Sequence, residues 1–410
     1  GDNLQFTAQS SNGTSLSLNP QIASNTSIPL QTMNFSVISI RTLDSAVLVL
    51  IDDGLSPDHL DPPAQYKLLA FVPEDSLNPE SAYTSYVIEY NKSRIEAPPG
   101  SKTPTEVWTT FYSMEVNAAT LEYYIETQLS WNSSVNGKSG SGVDDTYLLH
   151  VADRLRVGTL QSLIASHSAD AEDLYTTAGT TNQSLAIVSR SIKMNLLSSL
   201  SRYLFRVTNY DDYSTTLQAV DLLWYKSQTP LEYQTVENFV ADSDCKGMII
   251  YGMDVIMGFQ TLIARIGLDV IVLKPLKRST VAVNNLKYID AQVTEGHLDV
   301  LYILETNSPI PLDNNRIFRI RWDNFDFPFT LPIQFSEEAF VATKNLSSLQ
   351  ISSRMIAVSQ EDSNTLQRDI LLFRGDDTFI FSEFETITSI TNNQFYVSEN
   401  GLTLVIVEPD

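Results

Sequence analysis

Short runs of apolar residues recur along the chain and predict its strands. Four of them are Val47-Leu-Val-Leu-Ile51, Met248-Ile-Ile-Tyr251, Val300-Leu-Tyr-Ile-Leu304 and Leu404-Val-Ile-Val407. Apolar residues at consecutive positions are typical of a strand that is buried on both faces between neighbouring sheets. The segments around these runs are rich in Val, Ile, Thr, Tyr and Phe, which favour strands. The pattern therefore predicts an all-β chain in which a buried strand recurs.

The C-terminal segment predicts a hairpin that needs strands from elsewhere. Asn400-Gly401 is a strong signal for a two-residue turn, because a type I′ turn needs positive φ at both central residues. It joins a predicted strand over Phe395–Ser398 to a second one over Leu402–Val407. A two-stranded hairpin does not bury its own faces. We expect the N-terminal segments Leu4–Ala8 and Ser15–Leu18 to complete its sheet, so that both termini lie together.

The spacing of the predicted strands repeats about every 50 residues, the range of propeller blades. We name the four strands of each unit a, b, c and d. The prediction is a single-domain, all-β, seven-bladed β-propeller of four-stranded antiparallel blades, closed by shared N- and C-terminal strands. The predicted blades cover residues 34–91, 105–165, 172–222, 232–275, 283–335, 339–385, and 386–410 completed by 1–20.

Several strand positions within these units rest on weaker patterns. Lys193–Ser201 lies in the predicted b–c connection of the third unit or, alternatively, forms a helical turn. Pro328 and Pro332 fit an outermost strand, because proline is tolerated at sheet edges. In the second unit, strand d is predicted at Thr159–Ala165. In the third unit, strands a, b, c and d are predicted at Leu174–Thr177, Leu185–Arg190, Tyr203–Val207 and Leu217–Leu222. Strand a of the fourth unit is predicted at Asn238–Asp242, strand d of the fifth at Phe327–Phe335, and strand d of the sixth at Thr378–Phe381.

The alternative is two or three unrelated β-sandwich domains, which also have short strands at regular spacing. The buried b strands recur throughout, and no Pro-, Gly- and Ser-rich linker divides the chain. The incomplete last unit also favours the propeller.

The turn motifs carry a family resemblance. Val397-Ser-Glu-Asn-Gly-Leu402 resembles the a–b hairpin of WD40-like and secreted β-propellers, in which a Ser and an Asp/Asn-Gly turn precede an apolar strand. Phe239–Gly247 resembles it more loosely. The dipeptides Trp322-Asp323 and Gly296-His297 each occur once and do not repeat as they do in WD40 proteins. The resemblance implies propeller architecture in no specific family, and it implies no activity.

The acidic composition excludes some partners. The formal net charge is −23 and the pI is about 4.4. Nucleic acids and anionic lipids both require a basic surface, so we expect neither as a partner. The longest apolar stretch, Met248–Met257, is interrupted by Gly252 and Asp254. It is shorter than the ~20 residues that span a bilayer, so no membrane span is predicted.

Candidate catalytic and metal-binding residues are few. The single cysteine, Cys245, is predicted to be buried or inert. The four histidines, His59, His150, His167 and His297, are far apart in sequence and form no metal-ligand motif. No nucleophile elbow, phosphate-binding loop or dinucleotide motif occurs. We therefore predict no catalytic or cofactor-binding residue.

Acidic pairs follow several predicted strands: Asp52-Asp53, Asp211-Asp212, Asp242 with Asp244, and Asp376-Asp377. Asp favours turns because its side chain bonds nearby backbone groups. Turn formation is the preferred interpretation, and none has EF-hand spacing. Ca²⁺ binding at these acidic loops is left open.

Glycosylation sites are the site residues that the sequence does predict. Most of them fall in predicted loops or turns, and Asn34 opens a strand. Their surface positions, with low Lys and abundant Ser and Thr, favour a secreted or cell-surface glycoprotein. The sequons lie at Asn12, Asn25, Asn34, Asn91, Asn132, Asn182 and Asn345.

Two functions follow from these patterns. The leading one is a non-catalytic extracellular propeller that acts as a structural or adhesive module through self-association or protein partners. The other is a secreted hydrolase or a carbohydrate-binding lectin that uses the channel face. The long connections Asp52–Pro63 and Trp131–Asp145 are predicted to lie on one face without being the hydrophobic centre of an interface. Contacts are expected from the d-strand rims and from Gln9–Gln31.

Overall fold

The computed structural model of the chain describes most of its strands and turns. The described residues are 5–10, 15–18, 21–22, 35–61, 63–76, 83–97, 102–134, 147–166, 172–177, 183–184, 190–196, 202–222, 233–251, 254–260, 262–267, 271–277, 284–294, 297–306, 315–323, 333–334, 337–352, 355–374, 382–390, 394–398 and 403–408.

The described part consists almost entirely of strands. The first are β1 (Gln5–Ser10), β2 (Ser15–Leu18), β3 (Gln21–Ile22), β4 (Ser36–Leu43), β5 (Ala46–Asp52), β6 (Gln65–Pro73), β7 (Tyr83–Asn91) and β8 (Ser93–Glu96). Next come β9 (Thr105–Asn117), β10 (Glu122–Ser134), β11 (Tyr147–Thr159), helix α1 (Leu160–Ser166), β12 (Glu172–Thr177), β13 (Gln183–Ser184), β14 (Arg190–Leu196), β15 (Tyr203–Tyr210), β16 (Ser214–Asp221) and β17 (Gln234–Val240). The last are β18 (Gly247–Tyr251), β19 (Asp254–Gly258), β20 (Leu262–Ile266), β21 (Ile271–Lys277), β22 (Asn284–Thr294), β23 (His297–Thr306), β24 (Arg316–Asp323), β25 (Ile333–Gln334), β26 (Glu337–Val341), β27 (Asn345–Ile351), β28 (Met355–Glu361), β29 (Arg368–Arg374), β30 (Ser382–Ile390), β31 (Phe395–Val397) and β32 (Thr403–Glu408).

These strands form separate antiparallel sheets whose first strands surround one axis. In order from first to fourth strand, the sheets are β4–β7, β9–β12, β14–β17, β18–β21, β22-β23-β24-β26, β27–β30 and β31-β32-β1-β2. The first strands contact one another in sequence: β4 with β9, β9 with β14, β14 with β18, β18 with β22, β22 with β27, β27 with β31, and β31 with β4 again. This closed ring of sheets is the arrangement of a β-propeller with four-stranded blades, and the first strand of each sheet is its innermost strand, a.

The two ends of the chain share one sheet, as predicted. In β1, Phe6 is paired with Val407 of β32 and Ala8 with Val405. Strand β2 then pairs with the other edge of β1. The predicted closure is therefore confirmed, and it removes two strand edges that would otherwise be open.

Side chains from neighbouring sheets fix the innermost strand of the terminal sheet. The Gln350 amide of β27 donates to the Phe395 carbonyl at 2.7 Å and accepts from the Val397 amide at 2.8 Å. On the other side, the guanidinium of Arg41 on β4 lies 5.4 Å from the Tyr396 ring centroid. Arg41 also binds Glu115 of β9 at 3.3 Å. One Arg therefore connects three consecutive innermost strands.

The buried strands have two apolar faces for the reason inferred from the sequence. In β5, Leu48 and Leu50 pack in a cluster with Phe111 and Met114 of β9. The alternate residues, such as Val49, pack instead with Val405 of the terminal sheet. Each b strand therefore faces a neighbouring sheet on both sides, which explains the unbroken apolar run.

Five blades are regular, fewer than the seven predicted from the sequence. Several sheets depart from a plain four-strand meander. Strand β8 pairs with β9, and β13 pairs with β11. Strands β3 and β25 add in parallel to the outer strands β7 and β21. The terminal sheet is assembled from both ends of the chain.

The predicted strand over Thr159–Ala165 is wrong, because this segment is largely helix α1. The Thr159 hydroxyl caps the helix by accepting from the Ser162 amide at 3.0 Å. Leu160 and Leu163 are buried in the same cluster, the helical spacing of three residues. Short apolar segments of this kind fit either period, and the cap decides for the helix.

Because Thr159–Ala165 is not a strand, the predicted strands of the next two units occupy other positions in their sheets. Leu174–Thr177 lies in β12, the outer strand of the second sheet, and Asn238–Asp242 overlaps β17, the outer strand of the third. Tyr203–Val207 and Leu217–Leu222 lie in the second and third strands of their sheet, not the third and fourth. Lys193–Leu196 belongs to innermost strand β14.

The predicted outer strand of the fifth unit is also misplaced. In the fifth unit the outer strand is β26, while Ile333–Gln334 of the predicted Phe327–Phe335 strand joins β21 of the preceding sheet. In the sixth unit the outer strand is β30. The predicted segment Thr378–Phe381 lies outside the described residues. Within the described residues no helix has the length and apolar character needed to cross a membrane.

Candidate functional site

The two ends of the propeller carry different connections. In an antiparallel meander, the a–b and c–d connections lie at one end and the b–c connections at the other. The link from d to the next a strand lies at the same end as the b–c connections. We call this end the b–c face, and the other end the a–b face.

Exposed large apolar side chains are concentrated on the b–c face. Leu60, in the β5–β6 connection, is 89% exposed, and Leu366, in the β28–β29 connection, is 67% exposed. The remaining exposed large apolar residue of the described part, Leu121, is 39% exposed in the β9–β10 turn on the a–b face. The six residues on the b–c face, here called the apolar set, are Leu60, Ile95, Tyr213, Val240, Val341 and Leu366.

Two members of the apolar set are held in strained turns. Tyr213 has φ 62° and Leu366 has φ 56°, the left-handed region that bulky residues rarely adopt. In each turn a backbone bond fixes the residue: the Tyr213 amide donates to the Tyr210 carbonyl at 2.8 Å, and the Leu366 amide donates to the Asp362 carbonyl at 2.8 Å. The turns hold both side chains in solvent on the b–c face.

Carboxylates lie beside these apolar residues. Asp58 and Asp61 flank Leu60 and are exposed. Asp212, next to Tyr213, accepts from the Ser214 hydroxyl at 2.5 Å and from its amide at 3.0 Å, and these bonds lower the pKa of Asp212.

The Leu366 turn is built in the same way. The Asp362 carboxylate accepts from the Asn364 amide at 2.8 Å and from the Thr365 amide at 3.2 Å. These bonds lower the pKa of Asp362. Both turns therefore keep an ionised carboxylate beside an exposed apolar side chain.

The acidic pair Asp52-Asp53 is occupied by a side-chain cation. Buried Lys92 pairs with both carboxylates, at 3.0 Å to Asp53, and donates to the Leu55 carbonyl at 2.7 Å. The Asp53 carboxylate also accepts from the Gln65 amide at 2.7 Å. The ammonium group of Lys92 therefore stands where a bound cation would, and the pair organises the turn.

The other acidic pairs lie in turns where the structure describes them. Asp242 and Asp244 flank Ser243, whose hydroxyl accepts from the Gln260 amide at 2.8 Å. Asp376-Asp377 lies outside the described residues. Among the residues that the structure describes, no group of three or more His, Cys, Asp or Glu side chains could hold a metal ion.

A buried ionic network that the sequence did not reveal joins the second and third sheets. Arg206 of β15 pairs with Glu126 of β10 and lies 3.6 Å from the Asp153 carboxylate of β11. The Tyr233 hydroxyl donates to Glu126 at 3.0 Å, and its ring centroid lies 3.8 Å from the Arg206 guanidinium. Glu126 and Arg206 are charged residues within strand-like segments, which is a signal of a buried ionic contact. The sequence does not show that these two residues, 80 positions apart, are partners.

Cys245 is buried, as predicted. Burial raises the pKa of its thiol to about 11, so the thiol is protonated at neutral pH. Its sulfur donates to the Gly247 carbonyl at 3.2 Å. Of the histidines, His59 lies in the β5–β6 connection, while His150 and His297 lie in the different strands β11 and β23, and His167 is outside the described residues.

The predicted glycosylation sites lie at strand ends where the structure describes them. Asn91 is exposed at the end of β7, and Asn345 is half-buried at the start of β27. Asn132 lies within β10, not in the loop predicted for it. Asn12, Asn25, Asn34 and Asn182 lie outside the described residues.

Comparison with known proteins yields similarity of fold at low identity. No protein-family model matches the chain, and no curated protein matches it. The periplasmic gluconolactonase PpgL of Pseudomonas aeruginosa is similar over 99% of each chain, with 8% identity and a TM-score of 0.47. Hsv2 of Kluyveromyces lactis is similar over 73% of this chain and 72% of its own, with 11% identity and a TM-score of 0.41.

A post-proline cleaving enzyme from Rickettsia typhi is a further match, with 11% identity and a TM-score of 0.42 over 92% of this chain. The chain spans about half of that enzyme's length, 49%. Likeness at this level carries no activity from one protein to another. The closed ring of innermost strands identifies the chain as a β-propeller.

Proposed function

We propose that this chain is a non-catalytic, seven-bladed extracellular or cell-surface glycoprotein that acts as a structural or adhesive module. It joins a homo- or hetero-assembly by protein contacts through the b–c face. The observation that carries the proposal is the location of the apolar set: among the residues that the structure describes, six such side chains lie at one end of the molecule and Leu121 lies at the other.

Single exposed apolar residues are common on protein surfaces, so their distribution matters more than their number. Exposed apolar surface that is collected on one face and surrounded by polar groups is typical of protein contact sites. The b–c face has this composition, with carboxylates such as Asp58 and Asp212 between the apolar side chains. This replaces the sequence-based expectation that contacts come from the rims and the N-terminal segment. Residues 21–22 of that segment pair with β7 of the same chain.

The seven-bladed part of the proposal is supported by the ring of innermost strands. Seven of them, β4, β9, β14, β18, β22, β27 and β31, contact one another in a closed cycle within the described residues. The departures from regularity lie in added short strands and in the shared terminal sheet, and they leave this cycle intact.

The extracellular part is supported by composition and by one exposed sequon. The acidic surface keeps copies of the chain soluble and separate. Asn91 is exposed at the end of strand β7, where a glycan would extend into solvent. We propose that the chain holds no cofactor. At Asp52-Asp53 this is supported by the Lys92 ammonium group, which pairs with both carboxylates.

Sedimentation velocity over a range of concentrations tests the contact face. In 1 M NaCl, where the screening length falls to about 3 Å, charge repulsion is suppressed and we expect reversible association. The triple variant Leu60→Asn, Val240→Thr, Leu366→Asn should stay monomeric, whereas the control Leu121→Asn should associate like the unmodified chain. Association that the triple variant retains would contradict the proposal, and a chain that is monomeric at every concentration and salt would exclude the homo-assembly.

A further inference from the structure

We infer that the b–c face binds a cationic, amphipathic protein segment. The inference rests on the proposed function, because it names the partner of the same face. It is carried by the repeated placement of exposed apolar side chains beside ionised carboxylates.

The arrangement recurs in three b–c connections. Leu60 lies between Asp58 and Asp61, and all three are exposed. Tyr213 follows the exposed pair Asp211-Asp212, and Leu366 is bonded through its amide to Asp362. A partner that covers one of these positions must present an apolar group beside a positive charge. Complementary charge steers such a partner and excludes acidic competitors.

The surroundings of the turns add a second argument. A large residue with positive φ is unfavourable by about 1–2 kcal/mol relative to the right-handed region. Tyr213 and Leu366 keep this conformation while their side chains are exposed, and so does Leu121 on the a–b face, so the backbone conformation by itself does not separate the two faces. The solvent-accessible carboxylates Asp212 and Asp362 beside Tyr213 and Leu366 make the difference, because Glu122 beside Leu121 is buried.

Charge also favours a partner that differs from this chain. Two copies that meet through their b–c faces would bring carboxylates together on a molecule with net charge −23. Anionic membranes are repelled for the same reason. Hydrogen bonds lower the pKa values of Asp212 and Asp362, so both carboxylates stay charged under mildly acidic conditions.

Fluorescence anisotropy with synthetic peptides tests the inference. The probe is a labelled amphipathic helix of Lys and Leu, with a Lys/Ser peptide of equal charge and a Glu/Leu peptide of equal hydrophobicity as controls. We expect saturable binding of the Lys/Leu peptide at 0.15 M NaCl and binding at least tenfold weaker for both controls. The double variant Tyr213→Asn, Leu366→Asn should bind the Lys/Leu peptide about tenfold more weakly, as when contact residues of an interface are truncated. Leu121→Asn should bind it normally.

Each other outcome has a distinct meaning. Equal binding of the Lys/Ser peptide would overturn the inference, because net charge alone would then explain binding. Equal loss in Leu121→Asn would overturn it as well, because the loss would then not be specific to the b–c face. Preference for the Glu/Leu peptide, or binding to phosphatidylserine vesicles, would overturn it as well. If the triple variant of the sedimentation experiment still loses association, the contact face stands and only the cationic partner is rejected. If association and peptide binding are both absent, the proposed function fails too.

Discussion

At Leu121, Tyr213 and Leu366 side-chain type and local backbone disagree, because each bulky side chain stands on a residue with positive φ. Asn adopts the left-handed region more readily than Leu, because its short side chain bonds nearby backbone groups. We therefore expect Leu366→Asn to raise the free energy of unfolding by about 0.5–1 kcal/mol, while it weakens peptide binding.

Urea denaturation measures this change, with Val240→Thr as a control that relieves no positive φ. If Leu366→Asn is more stable and binds the peptide more weakly, Leu366 is a contact residue that favours binding at the expense of stability. A loss of stability in Leu366→Asn would show that the side chain supports the fold instead.

Gly158 is a second residue whose identity is fixed by its surroundings. A Cβ at this position would lie 2.1 Å from the hydroxyl oxygen of Tyr123, which is fully buried. We expect Gly158→Ala to lower the free energy of unfolding by about 1–3 kcal/mol, because a buried ring has little room to move.

The matched control is Gly267→Ala, whose Cβ would meet the Asp254 carboxylate at 2.0 Å. That carboxylate lies at the end of a partly exposed side chain, so it moves more easily and the loss should be smaller. Equal losses measured by urea denaturation would contradict this ranking.

The glycan prediction also belongs to single residues. Asn91 is exposed, so we expect it to carry a glycan in the natural source. Intact mass before and after N-glycosidase treatment measures this, and an Asn91→Gln variant should carry one glycan fewer. An unchanged mass after treatment would remove most of the support for an extracellular location.

Between elements, the Glu126–Arg206 pair links strands of two neighbouring sheets. Both side chains are buried, so removing Arg206 alone leaves a carboxylate without its cation. We expect Arg206→Met to lower the free energy of unfolding by about 3–5 kcal/mol. The double variant Glu126→Leu, Arg206→Met should recover much of this loss, because it removes both buried charges.

Equilibrium unfolding of the unmodified chain, the two single variants Glu126→Leu and Arg206→Met, and the double variant gives the coupling energy between the two side chains. Additive effects of the two substitutions would show that the pair does not act as a unit. In that case the packing of Tyr233 on Arg206 would be the dominant contact between the sheets.

At the scale of single elements, sequence patterns predict those strands and turns whose conformation depends on residues nearby in the chain. The runs over Ala46–Ile51 and Met355–Ser359 lie in strands β5 and β28, because burial on both faces leaves an unbroken apolar signal. Thr159–Ala165 mixes apolar Leu160, Leu163 and Ile164 with polar residues, a pattern that fits a strand or a helix, and the cap at Thr159 favours the helix. The bond from Arg206 to Glu126 depends on the ring of sheets, so no local pattern could contain it.

For the molecule as a whole, closure of the ring depends on strands β1 and β2. Their removal would leave β32 with an open edge and the terminal sheet with two strands. We expect a chain lacking residues 1–20 to lose cooperative thermal unfolding, because a two-stranded sheet is marginal alone. Adding a synthetic peptide of residues 1–20 should restore the transition.

Calorimetry measures the transition, and a scrambled peptide of the same composition is the control. A truncated chain that melts as the full chain does would contradict the importance of closure. The hairpin signal at Asn400-Gly401 made this closure predictable, since an incomplete last sheet requires strands from elsewhere.

The contact face was less predictable than the ring. Sequence identified the b–c connections and placed them on one face, but exposure of Leu60 or Tyr213 depends on which turn conformation the chain adopts. Lys92 shows the same limit, because it lies 39 residues from Asp53 in sequence and fills the acidic turn only in the folded chain.

Hydrogen–deuterium exchange in 1 M NaCl, at low and high protein concentration, tests most directly whether the b–c face is the contact face. The account predicts slower exchange at high concentration in the turns around Tyr213 and Leu366. Exchange should be unchanged in the a–b turns at Asp44 and Leu121. Slower exchange confined to the a–b turns or to the outer strands would contradict the account.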